Sequence, residues 1–216
     1  MKGHKWFAAI YDRMLASAEK KFFGAIRQEM LRDVSGEVLE IGAGTGANFQ
    51  YYPSGANVVA TEPDPYMLER ARKRAAEASA NIDLREAAAE ALPFPGASFD
   101  FVIDTLVLCS VKDPRNVLAE IKRVLKPGGE LRLYEHVRYQ NPIGALSQDI
   151  VSPAWQWFGA GCHPNRDTGR FLREAGFEIT SERLRKEFPP IPPMVFTRPN
   201  LQAVARKPVT EPMSTR

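Results

Sequence analysis

The chain has 216 residues, of which 44% are apolar and 25% charged, with a net charge of +3. That is the size of one globular domain with a core of its own. The small charge and the lack of any long Lys/Arg block argue against a nucleic-acid partner. No apolar run approaches the roughly 18 residues of a membrane span, and no signal-peptide core opens the chain, so a cytoplasmic protein is expected.

Residues 5–32 read as one helix. Trp6, Phe7, Ile10, Tyr11, Met14 and Leu15 recur at three and four spacing, Phe22, Phe23, Ile26 and Met30 continue the stripe, and basic residues, Arg27 among them, fill much of the rest. Gly36 breaks the pattern before a strand at 37–41, a glycine loop and a short helix. A second strand (57–62) runs into a helix with Pro65 near its first turn, where proline is tolerated. Strands follow at 82–87 and 98–108, the latter nearly continuous in apolar residues, as a buried parallel strand is. Pro114 opens a helix that stops at Lys126-Pro127-Gly128-Gly129, a turn with no chemistry of its own, before a strand at 129–137. Segment 138–166 fits no simple unit. It carries Ile143, Leu146, Ile150, Trp155, Trp157 and Phe158 but is interrupted by prolines and glycines. A helix near 166–176 and strands at 177–185 and 200–207 complete the chain; the Pro-rich link between these strands leaves no room for a helix, so they pair antiparallel. This is an α/β fold: a doubly wound, seven-stranded, mainly parallel sheet with an antiparallel last strand. The expected organisation is an N-terminal cap (1–35), a main domain (36–207) with a lid-like insertion at 138–166, and a disordered tail (208–216).

The stretch "VLEIGAGTGANF" carries the first chemical signal. In an open α/β sheet, ligands bind beyond the carboxyl ends of the strands, where the loop Gly42-Ala43-Gly44-Thr45-Gly46 sits. Glycines let backbone approach a ligand closely. Glu62, about 20 residues on, ends the second strand, where a carboxylate can accept hydrogen bonds from ribose hydroxyls. The loop also satisfies the dinucleotide form G-x-G-x-x-G/A, and a lone match does not choose between cofactors. The short second half of the chain and its antiparallel pair offer no seat for a nicotinamide. Glu40, just before the loop, suits a cofactor with a cationic amino group, and S-adenosylmethionine has one together with a sulfonium.

"VLEIGAGTG", "VVATEPDPYML", "ALPFPGASFDFVI" and "EIKRVLKPGGELRLYE" resemble, in order, the successive motifs of the class I S-adenosylmethionine-dependent methyltransferases. The resemblance implies that Glu40 and Gly42, Ala43, Gly44 and Gly46 hold the methionine end of the cofactor. Glu62 would bind the ribose, Met67 would lie against the adenine, and Ala88, Ala89 and Glu90 would form its edge. Asn48, Pro63, Thr105 and Leu106 complete the expected cofactor set. The family often has an acid where this sequence has Ala88, so the adenine amino group here must find backbone, water or Glu90. "TLVLCSVKDPRNVLAEIKRVLKPGG", "YEHV" and "GAGCHPNRDT" look like the subgroup that includes the animal alkyl-thiol S-methyltransferases and many bacterial relatives. The animal enzymes carry an N-terminal membrane anchor, which this amphipathic basic helix does not match.

Methyl transfer is an in-line displacement, and much of its acceleration comes from positioning. A thiol, with an ordinary pKa of about 8.5, needs only a modest base, whereas a hydroxyl needs a stronger one or a metal. The expected acceptor is small and apolar, with a thiol preferred. A phospholipid amine or quinone-like ring is the alternative substrate, and a cofactor-binding module without turnover the non-enzymatic one. His136, at the end of the fifth strand, is the best-placed proton acceptor, with a structural hydrogen-bonding role as the competing and slightly favoured reading. Cys109 and Ser110 follow the fourth strand and face the pocket; Trp155, Trp157, Phe158 and His163 belong to the wall or lid, with the aromatics pointing to an apolar acceptor or simply filling a core. The cysteines, Cys109 and Cys162, form no C-x-x-C pair and no metal-ligand spacing, so no metal is expected; a disulfide between them is disfavoured in a reducing compartment. No paired carboxylates are evident near the mouth. The N-terminal helix has three readings: a cap bringing Tyr11 to the substrate, a peripheral contact with anionic lipid, or simple packing on the sheet.

Overall fold

A computed structural model describes residues 19–159, 161–186 and 194–209. Its frame is a seven-stranded sheet in the order β3-β2-β1-β4-β5-β7-β6. The strands are β1 (Gly36–Ile41), β2 (Ala56–Thr61), β3 (Asn81–Arg85), β4 (Phe99–Thr105), β5 (Leu125–His136), β6 (Glu178–Arg185) and β7 (Asn200–Arg206). The first five pair in parallel, and β7 lies antiparallel between β5 and β6. The order reverses between β1 and β4, which opens the crevice where such sheets bind ligands.

The helices are α1 (Gly24–Leu31), α2 (Pro65–Glu77), α3 (Pro114–Val124), α4 (Pro142–Phe158) and α5 (Thr168–Glu174). The sequence sets their starts. Asp64, Asp113, Asn141 and Asp167 each turn a side-chain oxygen onto the first free backbone N–H groups, and proline follows in the first three. Strand alternation then sorts the core. Leu39, Ile41, Val102, Leu131 and Leu133 face α3 and α5, meeting Val117, Leu118, Ile121 and Leu172. Val38, Val58, Ile103 and Tyr134 point the other way, toward Ile26, Met30 and Leu31 of α1 and Ala71 of α2.

Four local expectations change. The described part of the N-terminal helix begins as a π-helical stretch, Glu19–Phe23, before α1; Tyr11 lies outside the described residues. The segment after the glycine loop is a run of turns ending in a 3₁₀ turn, Phe49–Tyr51, instead of an α-helix. Lys126–Gly129 is no turn between elements. It is an irregularity inside β5, where Leu125 pairs with Phe99 and Glu130 with Phe101. The insertion after β5 is one 17-residue helix, α4, with Pro153 inside it. Proline costs a helix one hydrogen bond, and Pro153 is on the exposed side, where water can take the freed carbonyl. Gln148, fully buried, anchors this helix: its Nε2 donates to the carbonyls of Val137, Pro164 and Phe196 at 3.1, 2.9 and 2.9 Å, and its Oε1 accepts from Tyr139 N–H.

Candidate active site

The glycine loop leaves β1 at the switch point, and its glycines serve different ends. A Cβ on Gly42 would meet Val107 Cγ2 at 2.6 Å, and one on Gly46 would meet Phe49 Cε2 at 2.5 Å, so these two let the protein pack on itself. Gly44 has φ +57° and nothing within 4 Å of where a Cβ would stand. Its bare backbone faces open space, as expected of a position that a ligand approaches.

Two acids frame this space. Glu62 is 7% exposed, and its Oε2 accepts from Gly44 N–H and its Oε1 from Asp64 N–H, both at 2.8 Å. Burial raises its pKa, and the two N–H groups pull it back. Each oxygen keeps a second lone pair, enough for two vicinal hydroxyls. Glu40, buried, accepts from Asn48 Nδ2 at 3.0 Å and from Tyr52 OH at 2.8 Å. Arg27 Nη1 donates to Asn48 Oδ1 at 2.6 Å, so α1 supports the same network. Burial pushes the Glu40 carboxyl up to about 7 against these hydrogen bonds and the Arg27 charge. A cationic ligand group would restore its ionised form. An open glycine flanked by a hydroxyl-binding carboxylate and an acid poised for an ammonium fits S-adenosylmethionine, whose bound sulfonium supplies an electrophilic methyl group.

The other expected cofactor residues gather on this edge. Thr105 Oγ1 accepts from Asn48 Nδ2 at 3.1 Å. Leu106 holds φ +63°, strained for a branched side chain, just past β4. Ala43 N–H donates to Thr61 O at 2.9 Å, which ties the loop to β2. Pro63 precedes the cap of α2, and Met67, 7% exposed, lies in its first turn. Ala88 and Ala89 form a turn closed by Ala91 N–H to Ala88 O. Glu90 is committed elsewhere: its Oε1 accepts from Lys112 N–H at 3.2 Å, and its carbonyl accepts from Asn116 Nδ2.

At the carboxyl ends of β4 and β5 a second group assembles. Cys109 and Cys162 are free and buried, with Sγ atoms 3.6 Å apart; His136 Nδ1 lies 3.7 Å from the first and 3.4 Å from the second. Hydrogen bonding to Cys162 and burial push the Cys109 thiol well up. Ser110 Oγ is 3.5 Å from Cys109 Sγ. His163 N–H donates to Cys109 O at 2.7 Å, and burial, with Arg166 beside it, lowers the His163 pKa. The fold brings three His/Cys side chains together where the sequence spacing showed no metal-ligand pattern: their ligand atoms lie within 4.8 Å of one another although Cys109 and Cys162 are 53 residues apart in sequence.

Paired carboxylates are present as well, against expectation. Asp104 and Glu135 are both fully buried. Glu135 accepts from Leu108 N–H at 2.7 Å and Cys109 N–H at 3.0 Å, while Asp104 accepts from Val107 N–H at 3.2 Å. Burial pushes Asp104 up to about 7 and, with Cys109 and Asp104 as neighbours, Glu135 well above the ordinary range. Arg166 holds the same loop from the other side, donating to the carbonyls of Leu108 and Val111. Acids at the ends of apolar strands were the available signal for this pair. Tyr52 and Arg27 offered none, because ordinary core and surface roles explain both residue types. Of the expected wall residues, Trp155 is half-buried on α4, whereas Trp157 is 80% exposed. Phe158 ends α4.

Residues 39–133 match the methyltransferase domain family. The chain is 38% identical to the human thiol S-methyltransferase TMT1B, covering 80% of this chain and 72% of that one. It is 33% identical to a phosphatidylethanolamine N-methyltransferase of Cereibacter sphaeroides, over 54% of this chain and 59% of the relative. A solved S-adenosylmethionine-dependent methyltransferase from Thermotoga maritima shares the fold with TM-score 0.70, at 22% identity over 94% of this chain and 97% of that chain. The chain is thus an enzyme with S-adenosylmethionine as its cofactor, and it belongs to the class I S-adenosylmethionine-dependent methyltransferases.

Proposed function

We propose that this enzyme moves the methyl group of S-adenosylmethionine to the sulfur of a small apolar thiol. The observation that carries the reading is the set of groups at the ends of β4 and β5. An amine acceptor arrives as an ammonium and needs an anionic seat and a base. Here the two nearby carboxylates are buried, biased toward their protonated forms and spent on backbone N–H groups. What remains at that edge is soft: Cys109, Cys162 and the imidazole of His136. A thiol ionises with modest help, which the His136 imidazole can supply. The thiol S-methyltransferase activity of the human relative points the same way. Leu106 and Val107, just past β4, add hydrocarbon that suits an apolar acceptor.

A lipid amine is the second reading. It is favoured by the apolar face that α4 leaves exposed, with Ile143 at 84%, Ile150 at 71% and Trp157 at 80%. Such a face suits a membrane interface, and a peripheral contact there would bring lipid acceptors within reach. Among the described residues no helix is long and apolar enough to cross a membrane. The test is transfer of labelled methyl to a panel of alkyl thiols, phenols and phosphatidylethanolamine vesicles. Labelled thioethers are expected, with His136→Ala lowering turnover while S-adenosylhomocysteine affinity is kept. Label in the lipid alone would reject the thiol.

A further inference from the structure

The separations among Cys109, His136 and Cys162 are those of a coordination sphere. Zinc bound tetrahedrally, about 2.3 Å from thiolate sulfur and about 2.0–2.1 Å from imidazole nitrogen, spaces two sulfurs by about 3.8 Å and sulfur from nitrogen by about 3.6 Å. The protein sets its sulfurs 3.6 Å apart and its sulfur–nitrogen pairs at 3.7 and 3.4 Å. Each lies within about 0.2 Å of the ideal edge. We propose that Cys109, His136 and Cys162 bind a Zn²⁺ ion, with the fourth position of the tetrahedron left for an exogenous sulfur.

The fold builds this site from three separate segments and holds each one. Glu135 accepts the Cys109 N–H, which fixes the loop after β4. His136 is the last residue of β5, paired with Asn200 of β7. Cys162 N–H donates to Gly159 O at 3.0 Å, in a turn where Gly161 has φ +87° and would place a Cβ 3.3 Å from Ser110 O. Glycine suits both the positive φ and the close approach of that turn to the Cys109–Ser110 backbone. Two thiolates and a neutral imidazole cancel the charge of the ion, the condition under which an ion is tolerated out of water. Two sulfurs and one nitrogen in a tetrahedron select zinc over harder cations, and three protein ligands with one open position are the pattern of reactive zinc sites.

The consequence for catalysis rests on the thiol reading above. An acceptor R–SH that takes the fourth position gives its proton to solvent and stays on the metal as thiolate. Its sulfur electron pair then forms the bond to the methyl carbon as the bond from that carbon to the sulfonium sulfur breaks. The broken bond's electrons remain on S-adenosylhomocysteine, and the neutral thioether, a poorer ligand, leaves.

The test is metal content, measured on the full chain by mass spectrometry after growth with zinc and gel filtration, with Co²⁺ substitution as a second readout. The expected result is close to one zinc per chain. The cobalt form should show tetrahedral d–d bands and a thiolate-to-metal charge-transfer band, and both signals should fall at least tenfold in Cys162→Ser and in His136→Ala. Retained S-adenosylhomocysteine affinity will show that the variants fold, and His136→Ala, at a half-buried position, guards against loss of folding on changing a core cysteine. Zinc binding below a tenth of an equivalent, binding undiminished in both variants, or a Cys109–Cys162 disulfide in the reduced-cell extract would overturn the site. Thiols methylated equally fast by zinc-free protein would remove the metal from the reaction while leaving the acceptor standing. Stoichiometric zinc with no thiol methylated would do the reverse.

Discussion

Cofactor affinity should depend on pH through Glu40. Its carboxyl is buried and pushed up to about 7, so near neutrality half of the ligand-free molecules hold a proton there. An ammonium placed beside it favours the ionised form, so binding expels that proton. With a pKa of about 7, the ionised fraction falls from about one half at pH 7 to a few per cent at pH 5.5, a loss of roughly tenfold or more in affinity, on the order of 1–2 kcal/mol. The ligand's own amino group stays protonated over that range, because its neighbouring carboxylate makes it more basic than a peptide N-terminus, whose ordinary pKa is about 7.7–8.0. Calorimetric titration with S-adenosylhomocysteine at both pH values measures the loss. Buffers of differing ionisation enthalpy at pH 7 should report release of about half a proton. Glu40→Gln should bind more weakly at pH 7 and lose both the slope and the proton release. A flat wild-type profile, or an unchanged slope in Glu40→Gln, would refute the pairing of Glu40 with the ammonium. The same shift bears on folding: because the folded pKa lies above the ordinary one, the Glu40 contribution to stability is fullest below pH 4.5 and is lost as pH rises toward 7, by about 3 kcal/mol in the ligand-free chain.

Glu62→Ala should weaken cofactor binding by about 1–3 kcal/mol, the scale of hydrogen bonds to a charged group, and unchanged affinity in the same titration would remove Glu62 from the ribose. Gly44→Ala should weaken cofactor binding while costing the fold only about 1–2 kcal/mol for a side chain at positive φ, since nothing lies within 4 Å of where its Cβ would stand; a thermal melt alongside titration separates the two effects. Gln148→Leu should destabilise the protein by about 2–4 kcal/mol in urea unfolding, because it strips a donor from three carbonyls near the core; a change under 0.5 kcal/mol would show that α4 is held by other contacts.

The cofactor half of the site was legible because its signals are local. A glycine that must face a ligand, an acid ending β1 and an acid ending β2 are each declared within a few residues of the feature they serve, and strand order then fixes the edge they share. The proposed acceptor half was legible only in part: His136 and Cys109 could be set at strand ends, but that Cys162 joins them was decided by the fold. Cys109 follows β4, His136 ends β5 and Cys162 follows α4, so no spacing rule could join them. Arg27 reads as part of a solvated basic face, yet the packing of α1 on β1 buries it against Asn48. Pro153 reads as a break, yet its exposed position in α4 and the buried anchor at Gln148 let the helix continue.

What the sequence by itself determined is the sheet, its helices, its crevice and the adenosyl cofactor, since periodicity, capping residues and glycine conformations are properties of short stretches of chain. Tertiary structure alone decided which distant side chains share a few ångströms at the mouth of β4 and β5, and how burial resets their protons. Desolvation and metal geometry depend on distances in space, and neighbours along the chain do not encode them.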